Sequence, residues 1–227
     1  MAARAWKVDA MTGKAQPLPR GGTTRNELKR AARRLFAERG IAAVGMREVV
    51  EAAGQRNAAA VHYYFGSKDD LLRELLIDGA DLIDARRRAM FDAAEAAGAP
   101  SLRDVVRANV LPCLDLGGDT GEAETYFRFI VNVQNERRLL FRETVSEHSP
   151  GYARYQAHVQ RLLAPLPVAT INQRLLFAAL SLQTLLAARE AAMDRSDTGD
   201  HHFWSRPEAL AGMLDAVEAI LTSPTTP

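Results

Sequence analysis

The polar side chains of this 227-residue chain favour molecular recognition over catalysis. His148, which follows Glu147, lies ten residues before His158, and His201 and His202 are adjacent. None of these pairs has the i, i+3 or i+4 spacing that places two metal ligands on one helix face. The sequence contains neither a nucleophile elbow nor a glycine-rich phosphate loop. We therefore predict that the protein is not an enzyme and uses no metal or cofactor.

The stretch from residue 47 to 68, REVVEAAGQRNAAAVHYYFGSK, predicts two short helices joined at Gly54. Its first part carries apolar Val49 and Val50 among charged residues, so one face can be buried. Glycine accepts the left-handed conformation that ends a helix, and Asn57 can cap a second helix from Ala58 to Phe65. This layout is typical of a helix-turn-helix, whose second helix enters the DNA major groove.

The run VHYYFGSKDDLL, spaced as it is behind REVVEAAG, resembles the DNA-binding domain of the TetR family of bacterial transcriptional regulators. The similarity extends from about Thr23 to about Asp84, and beyond it only the helical layout resembles the family. Valine and glycine at positions 44 and 45 replace the family's usual hydroxyl residues. The turn before the second helix is one residue longer, because Gln55 and Arg56 both precede Asn57.

The resemblance implies a set of DNA contacts, anchored on VHYYFGSK. Alanines let the helix sit deep in the groove, His62 and Tyr63 can reach base edges or phosphates, and Tyr64 and Lys68 match positions that contact the DNA backbone. Val61 and Phe65 face the domain core, and core packing is also the alternative for the two tyrosines. The predicted DNA-binding residues are Arg25, Arg47, Arg56, Asn57, Ala58, Ala59, Ala60, His62, Tyr63, Tyr64 and Lys68.

Composition agrees with a DNA-binding head on a separate body. Residues 1–70 hold 13 Lys and Arg against 7 Asp and Glu, a charge of +6, whereas the remainder carries −5, for a total of +1. The sequence has no run of 18 uncharged apolar residues, so we predict no membrane span. The single cysteine, Cys113, excludes an internal disulfide, and the N-terminus lacks an apolar signal core, so we expect a cytoplasmic protein.

The first elements follow from apolar spacing. Residues 1–22 mix basic residues with proline and glycine and predict a flexible basic arm, which could also contact DNA. Residues 24–39 predict an amphipathic helix with a basic outer face, ended by Gly40. A long helix begins after the cap Ser67 and continues to about Ala97, with Ile83 and Arg87 both on its apolar spacing. This helix connects the head to the body.

The sequence of the body predicts helices throughout. Ser101 caps one of them, residues 122–134, 137–145 and 152–163 form three more with an interruption at positions 149–151, and residues 171–188 form a strongly apolar helix. The sequence Ser205-Arg206-Pro207-Glu208 predicts a capping box that opens the last helix. The domains are then the arm 1–22, the head 23–83 with its motif at about 46–65, the body 84–222 and a flexible tail 223–227.

An aromatic concentration in the body predicts a ligand pocket, which the family resemblance places among residues 101–190. The expected ligand is mostly apolar, with one or two hydrogen-bonding groups. Plain core packing of the same residues is the alternative. The predicted pocket residues are Tyr126, Phe127, Arg128, Phe129, Phe141, Tyr152, Tyr155, His158, Phe177 and Gln183.

The last two helices are the expected dimer contact, because in the TetR family they pair across a two-fold axis as a four-helix bundle. Small Gly212, Ala216 and Ala219 permit close approach. The alternative is that the apolar stripes complete the subunit's own core. The predicted interface residues are Leu175, Leu182, Leu186, Leu210, Met213, Leu214, Val217 and Leu221.

Together these patterns predict an all-α protein with a three-helix helix-turn-helix head and a helical ligand-binding and dimerisation body. The resemblance implies a homodimeric repressor that leaves a palindromic operator when a small molecule binds. The alternative is a regulator without a ligand, whose body only dimerises or docks a protein partner. The ligand, the operator and the regulated genes are not specified by the residues.

Overall fold

A computed structural model of the chain describes residues 24–55, 60–114, 116, 125–195 and 201–224, with the backbone alone at Ala60 and Val61. No β-strand occurs among them, and the predicted all-α fold is confirmed. The α-helices are α1 (Thr24–Arg39), α2 (Met46–Ala52), α3 (Ala60–Phe65), α4 (Lys68–Ala96), α5 (Leu102–Val110), α6 (Tyr126–Glu136), α7 (Arg138–Glu147), α8 (Pro150–Leu162), α9 (Val168–Asp194) and α10 (Pro207–Thr222), and a short 3-10 helix spans Leu111–Cys113. The predicted arm, residues 1–22, lies outside the described residues.

Helix α1 is amphipathic, as its spacing predicts. Leu28, Ala32 and Phe36 are fully buried. The helix ends at Gly40, whose φ of 83° is left-handed and whose N–H donates to the Phe36 carbonyl at 3.1 Å. Ile41 then folds back into the core with no exposed surface. The apolar face of α1 therefore packs into the core of the head.

Helix α4 belongs to both the head and the body. The Ser67 hydroxyl accepts a hydrogen bond from the Asp70 N–H at 3.1 Å, so the predicted cap is confirmed. Near its start α4 packs against α1 and α3, and further along it packs against α5, α7 and α8. Leu71 and Phe91, at opposite ends of the helix, are both fully buried. One helix of 29 residues thus links the two parts of the chain.

Helix α6 lies between the body and the head. It packs against α9 on one side and α1 on the other. The Glu190 carboxylate of α9 accepts hydrogen bonds from the N–H groups of Phe127 and Arg128, both at 2.9 Å, and so satisfies the start of α6. The helix begins at Tyr126, later than the predicted residue 122, because Thr125 has non-helical torsion angles.

The predicted interruption at positions 149–151 separates α7 from α8, but Pro150 and Gly151 lie inside α8. Proline suits the first position of a helix, where its missing N–H would have no partner in any case. The Gly151 N–H donates to Oδ1 of Asp84 on α4 at 2.7 Å. A Cβ atom at Gly151 would lie only 2.8 Å from that oxygen, so glycine allows α8 to approach α4 closely.

The start of α10 corrects one prediction. The helix begins at Pro207 with Arg206 as its N-cap, and no side chain caps it. The predicted capping box at Ser205 is wrong, because the Ser205 hydroxyl accepts a hydrogen bond from the His201 N–H at 2.8 Å instead. At the other end, buried Arg174 of α9 donates to the Leu221 carbonyl at 2.8 Å and closes α10 onto α9.

Helix α9 is long and apolar enough to cross a membrane by length and composition, with a mean hydropathy of 1.3 over its most apolar stretch. In the fold it packs against α6, α8 and α10. It also carries two buried charged residues with hydrogen-bond partners, Arg174 and Glu190. These contacts make α9 a core helix of the body with one open face, which is not a convincing membrane span.

Candidate DNA-binding site and effector body

Helix α2, the first helix of the motif, has Gly45 as its N-cap, and this glycine has no side chain to cap the helix. Glu48 supplies the missing interaction, because its carboxylate accepts from the Gly45 N–H at 2.7 Å and from the Arg39 guanidinium at 2.7 Å. These hydrogen bonds, the one from Gly45 first, hold the pKa of the Glu48 carboxyl below its usual range. The start of α2 is therefore stabilised by its own third residue.

The turn after α2 has the predicted left-handed glycine. Gly54 has a φ of 68°, and the next N–H, of Gln55, donates to the Val50 carbonyl at 3.0 Å. The Gln55 side chain donates to Glu27 of α1 at 2.8 Å, which ties the turn to the first helix. The predicted contacts Arg56, Asn57, Ala58 and Ala59, including the Asn57 cap, lie outside the described residues.

Helix α3, the predicted recognition helix, turns its polar face outward. The Tyr63 side chain is 83% exposed, His62 and Tyr64 are also exposed, and Phe65 is buried as predicted. Core packing is therefore wrong for Tyr63. Nδ1 of His62 lies 2.8 Å from the Gly66 carbonyl oxygen, to which Nδ1–H donates, and Nε2 is not used by this hydrogen bond. The exposed edge of α3 thus offers two aromatic rings and one imidazole nitrogen.

The arginines near α3 differ in how many contacts they make within the protein. The Arg47 side chain is 84% exposed and pairs with Glu51 at 3.0 Å on the surface of α2. The Arg25 guanidinium pairs with Glu74 and lies 5.2 Å from the centre of the Phe65 ring. Arg47 is therefore better placed than Arg25 to turn toward a phosphate.

Lys68 is tied to the loop after α1. Its ammonium donates to the carbonyls of Ile41 and Val44, the latter at 2.7 Å, and lies over the Phe36 ring. Burial lowers the pKa of the Lys68 ammonium. Because two of its three N–H bonds are used within the head, Lys68 can add at most one side-chain bond to a phosphate. Its main work is to hold the loop between α1 and α2 against α4.

Most aromatic members of the predicted pocket pack in the interior of the body. Tyr126, Phe127, Phe129 and Tyr155 are buried in the core, and Phe141 and Tyr152 are partly buried against it. Two hollows in the described part of the chain open to solvent. One lies between α9 and α10 and includes Phe177, which is 50% exposed, and the other lies between α1, α2 and the end of α9.

The polar members of the predicted pocket have separate roles. Nε2 of His158 lies 2.7 Å from Oε1 of Glu95, and its ring stacks on Phe91 at 5.2 Å between centroids. Arg128 donates to Asp194 at 2.8 Å. Gln183 has a buried side-chain oxygen with no partner among the described residues. His158 thus connects α8 to α4, and Arg128 connects α6 to α9.

The predicted dimer residues lie inside the subunit. The buried ones are Leu175, Leu182, Leu186, Met213, Leu214, Val217 and Leu221, and Leu210 is partly buried. Their side chains pack between α9, α10 and the rest of the body, so they are not available to a partner. This placement corrects the prediction in favour of its alternative, that the apolar stripes complete the subunit's own core.

A different apolar face of α9 and α10 is open. Leu176, Phe177 and Leu180 are each about half exposed, at 55%, 50% and 47%. Ala219 of α10 lines the same hollow as Phe177, and on the same helix a Cβ atom added at Gly212 would meet no atom within 4 Å. Sequence reasoning missed this face because α9 is apolar around most of its circumference, so its period does not separate inside from outside.

A polar contact between body and head was also missed. The Glu136 carboxylate at the end of α6 accepts from the N–H groups of Ile41 at 2.8 Å and Ala42 at 2.6 Å. One turn earlier, Asn132 donates to the Phe36 and Ala37 carbonyls at the end of α1. Helix α6 therefore binds both the last carbonyls of α1 and the first N–H groups after it.

The fold and the exposed second helix of the motif define the class of a helix-turn-helix DNA-binding protein. Residues 28–75 match the family model described as bacterial regulatory proteins, tetR family. No match is found among curated proteins. The predicted resemblance to the TetR family is confirmed, by sequence in the head and by fold along the chain.

Solved structures extend the likeness beyond the head. The fatty acid degradation regulator FadR from Bacillus halodurans is 14% identical, with a TM-score of 0.59 over 92% of this chain and 100% of that one. AmtR from Mycobacterium smegmatis is 16% identical, with a TM-score of 0.54 over 93% and 92%. A putative TetR-family regulator from Rhodococcus sp. is 16% identical, with a TM-score of 0.50 over 88% and 98%. At these identities the likeness establishes the fold of the body.

Proposed function

We propose that this protein is a transcriptional repressor that binds a palindromic operator as a homodimer and leaves it when a small, mostly apolar molecule binds the body. The observation that carries the DNA-binding part is the exposure of Tyr63 on α3, at 83%. A large aromatic ring left in water on the second helix of this motif is suited to a groove that removes it from water.

The DNA contacts divide into reading and positioning. His62 and Tyr63 lie on the recognition helix and read base edges, because side chains there face the major groove in this motif. Arg47 on α2 binds phosphate, which gives affinity without sequence information. Lys68 contributes by fixing the loop after α1, since its ammonium is held by two carbonyls.

The homodimer rests on the open face of α9. Leu176, Phe177 and Leu180 form an apolar patch, and the small residues of α10 beside it leave room for a second helix. Small side chains permit close helix approach, and a two-fold axis places each α9 against its copy. Two recognition helices are then presented together to half-sites about 10 bp, or one helical turn, apart or somewhat more.

DNA binding is tested by retaining genomic fragments on the purified protein and measuring affinity for the best one by fluorescence anisotropy. Tyr63→Ala should weaken binding to that fragment about 5- to 150-fold, since one base contact contributes about 1–3 kcal/mol. Phe203→Ala is the control, because Phe203 is also an exposed aromatic, at 52%, but lies in the segment before α10. Equal affinity of both variants would remove Tyr63 from the DNA contact.

The dimer is tested by sedimentation velocity. Leu180→Asp places a charge in the proposed partner contact and should give folded monomers that bind the operator poorly. Leu139→Asp is the control, because Leu139 is 63% exposed on α7, away from α9. A Leu180→Asp protein that remains dimeric would move the interface to another surface.

The ligand-independent regulator is the second candidate, and the packed aromatic residues of the body favour it. A thermal-shift screen of hydrophobic metabolites, followed by a DNA-release assay on the hits, separates the two functions. Compounds that raise the melting temperature and release DNA support the ligand-responsive repressor. Compounds that stabilise the protein and leave it on DNA favour the second candidate, because a ligand shifts an equilibrium only by binding its states differently.

A further inference from the structure

Three buried polar atoms on α4, α5 and α8 have no hydrogen-bond partner among the described residues. They are Nε of Arg87, Oδ1 of Asn109 and the hydroxyl of Tyr155. The residues themselves are only 7%, 4% and 1% exposed. A buried polar atom without a partner costs free energy, so three in one region of the body need a physical reason.

These residues are neighbours. The Arg87 guanidinium lies 5.6 Å from the centre of the Tyr152 ring, and the Tyr152 and Tyr155 rings are 5.5 Å apart. Arg87 also reaches the buried thiol of Cys113, which contacts the Asn109 carbonyl one turn back along the chain at 3.4 Å. Arg87 and Tyr155 are therefore close together where α4 and α8 meet, and Asn109 lies on α5 one turn before the thiol that Arg87 reaches.

The charge of Arg87 is poorly compensated. Its nearest described carboxylate is Asp84, at 3.9 Å. That carboxylate already accepts the Gly151 N–H at 2.7 Å and the guanidinium of Arg88 at 3.0 Å. One negative charge is thus shared between two arginines, and the buried one is the more distant. A buried cation is stable only when it is paired and hydrogen-bonded, and Arg87 has only a distant share of one carboxylate.

The Tyr155 hydroxyl supplies a neutral donor beside that cation. Burial raises the pKa of this hydroxyl well above its ordinary value, so it keeps its proton. Its ring faces that of Tyr152, over which Arg87 lies. A guanidinium N–H and a phenol O–H that are both unpartnered match the two oxygens of a carboxylate, which accepts hydrogen bonds only.

We propose that Arg87 and Tyr155 bind the carboxylate of a small organic acid, and that this acid is the ligand of the body. The inference rests on the proposed function only where it says that binding releases DNA. The rest of the acid is apolar, because Ile83 and Phe91, one turn on either side of Arg87 along α4, are buried hydrophobics. The unpartnered Asn109 oxygen suits a hydroxyl or amide N–H on the acid.

The position of the site gives binding a route to the head. The three helices are closely packed there, with Gly151 of α8 in contact with Asp84 of α4. An acid that enters between them must separate α4 from α5 or α8. Because α4 continues into the head, a shift along it changes the placement of α3. Binding and DNA release are thereby linked through one helix.

The test uses Arg87→Met and Arg88→Met, made in the full-length protein. Both remove one arginine next to Asp84, but the Arg88 side chain is 56% exposed whereas that of Arg87 is buried. Octanoate and phenylacetate are the probes, octanamide is the uncharged match, and inorganic phosphate is the simple anion. Binding is measured by calorimetry and melting temperature by differential scanning fluorimetry.

We expect octanoate or phenylacetate to bind the wild-type and Arg88→Met proteins, and Arg87→Met to bind at least about tenfold more weakly. Without any acid, Arg87→Met should melt at or above the wild-type temperature, because Asp84 keeps its bonds to Gly151 and Arg88. Tyr155→Phe should weaken octanoate binding and leave the melting temperature unchanged.

Four results would overturn the site. The first three concern binding: Arg87→Met binds the acids as tightly as the wild type, the wild type binds octanamide or phosphate as tightly as the acids, or the wild type binds neither acid. The fourth is a melting temperature of ligand-free Arg87→Met that is lower than that of the wild type by about 5 °C or more, the size expected for a structural cation. DNA is assayed separately. If the acid binds and the protein stays on its operator, the site stands and ligand-induced release is contradicted. If the protein binds no DNA at all, the proposed function is contradicted and the site is not affected.

Discussion

Glu136 offers the sharpest test of how the body holds the head. Its carboxylate accepts the N–H groups of Ile41 and Ala42, which follow the end of α1. Glu136→Ala removes both bonds and leaves the part-buried Ile41 N–H without a partner, whereas the exposed Ala42 N–H can turn to water. We expect the free energy of unfolding to fall by about 2–3 kcal/mol, of which about 1.5–2 comes from Ile41.

Urea unfolding followed by circular dichroism at 222 nm measures this loss. With a slope of about 2–3 kcal/mol per molar urea, the midpoint should fall by about 1 M while the slope stays the same. Glu143→Ala is the control, because it removes the same charge from an exposed position on α7. A Glu136→Ala midpoint within about 0.2 M of the Glu143→Ala midpoint would refute the clamp.

The same variant has a second readout at the DNA. Asn132 and Glu136 together bind the corner between α1 and α2, on which the helix-turn-helix rests. Operator affinity of Glu136→Ala should therefore fall at temperatures where the protein remains folded. Unchanged affinity in a folded, destabilised variant would show that the clamp serves stability and does not position the head.

Three further predictions concern packing, acid stability and a helix cap. Gly79→Ala places a Cβ atom about 2.1 Å from the Tyr126 ring and should lower the free energy of unfolding, measured by urea, by about 1–3 kcal/mol. Arg154 and then His158 lower the pKa of the Glu95 carboxyl to about 2, so its stabilisation is complete above pH 4.5 and lost as the pH falls through 2. Melting temperatures from pH 5 to pH 2 should therefore fall less steeply in Glu95→Gln. Ser101→Ala should lower the urea midpoint by an amount equal to about 1 kcal/mol, because Ser101 caps α5, whereas the exposed Ser146→Ala should not.

Local signals predicted the elements of the head. Glycines at 40 and 54 end two helices because only a residue without a Cβ atom enters the left-handed region freely, and Ser67 caps α4 because its hydroxyl reaches the N–H three residues on. These are interactions between residues near in sequence, so spacing alone reveals them. The Ser205 cap failed because a competing local partner, the N–H of His201, took its hydroxyl.

Contacts between distant residues were beyond the reach of the sequence. Glu136 and Glu190 lie just beyond the predicted helices 122–134 and 171–188, and no neighbouring residue in the sequence indicates a partner for either. In the fold, Glu136 accepts two backbone N–H groups just after α1, and Glu190 accepts two at the start of α6. A carboxylate in that role is recognised only once the end of the other helix is placed beside it.

Three consecutive arginines on α4 show how far spacing can go toward a site. Arg86, Arg87 and Arg88 are the same residue type, and only Arg87 falls four residues after Ile83 on the apolar stripe. That spacing indicated which of the three faces the core, and the structure places Arg86 on the Leu114 carbonyl and Arg88 on Asp84. What spacing leaves open is whether a buried guanidinium finds its anion within the chain. Asp84 could have served Arg87 alone, and its division between two arginines is a property of the packed helices. The sequence pattern thus marks Arg87 as the inward-facing arginine, and only the packed helices reveal the charge balance that favours a carboxylate ligand.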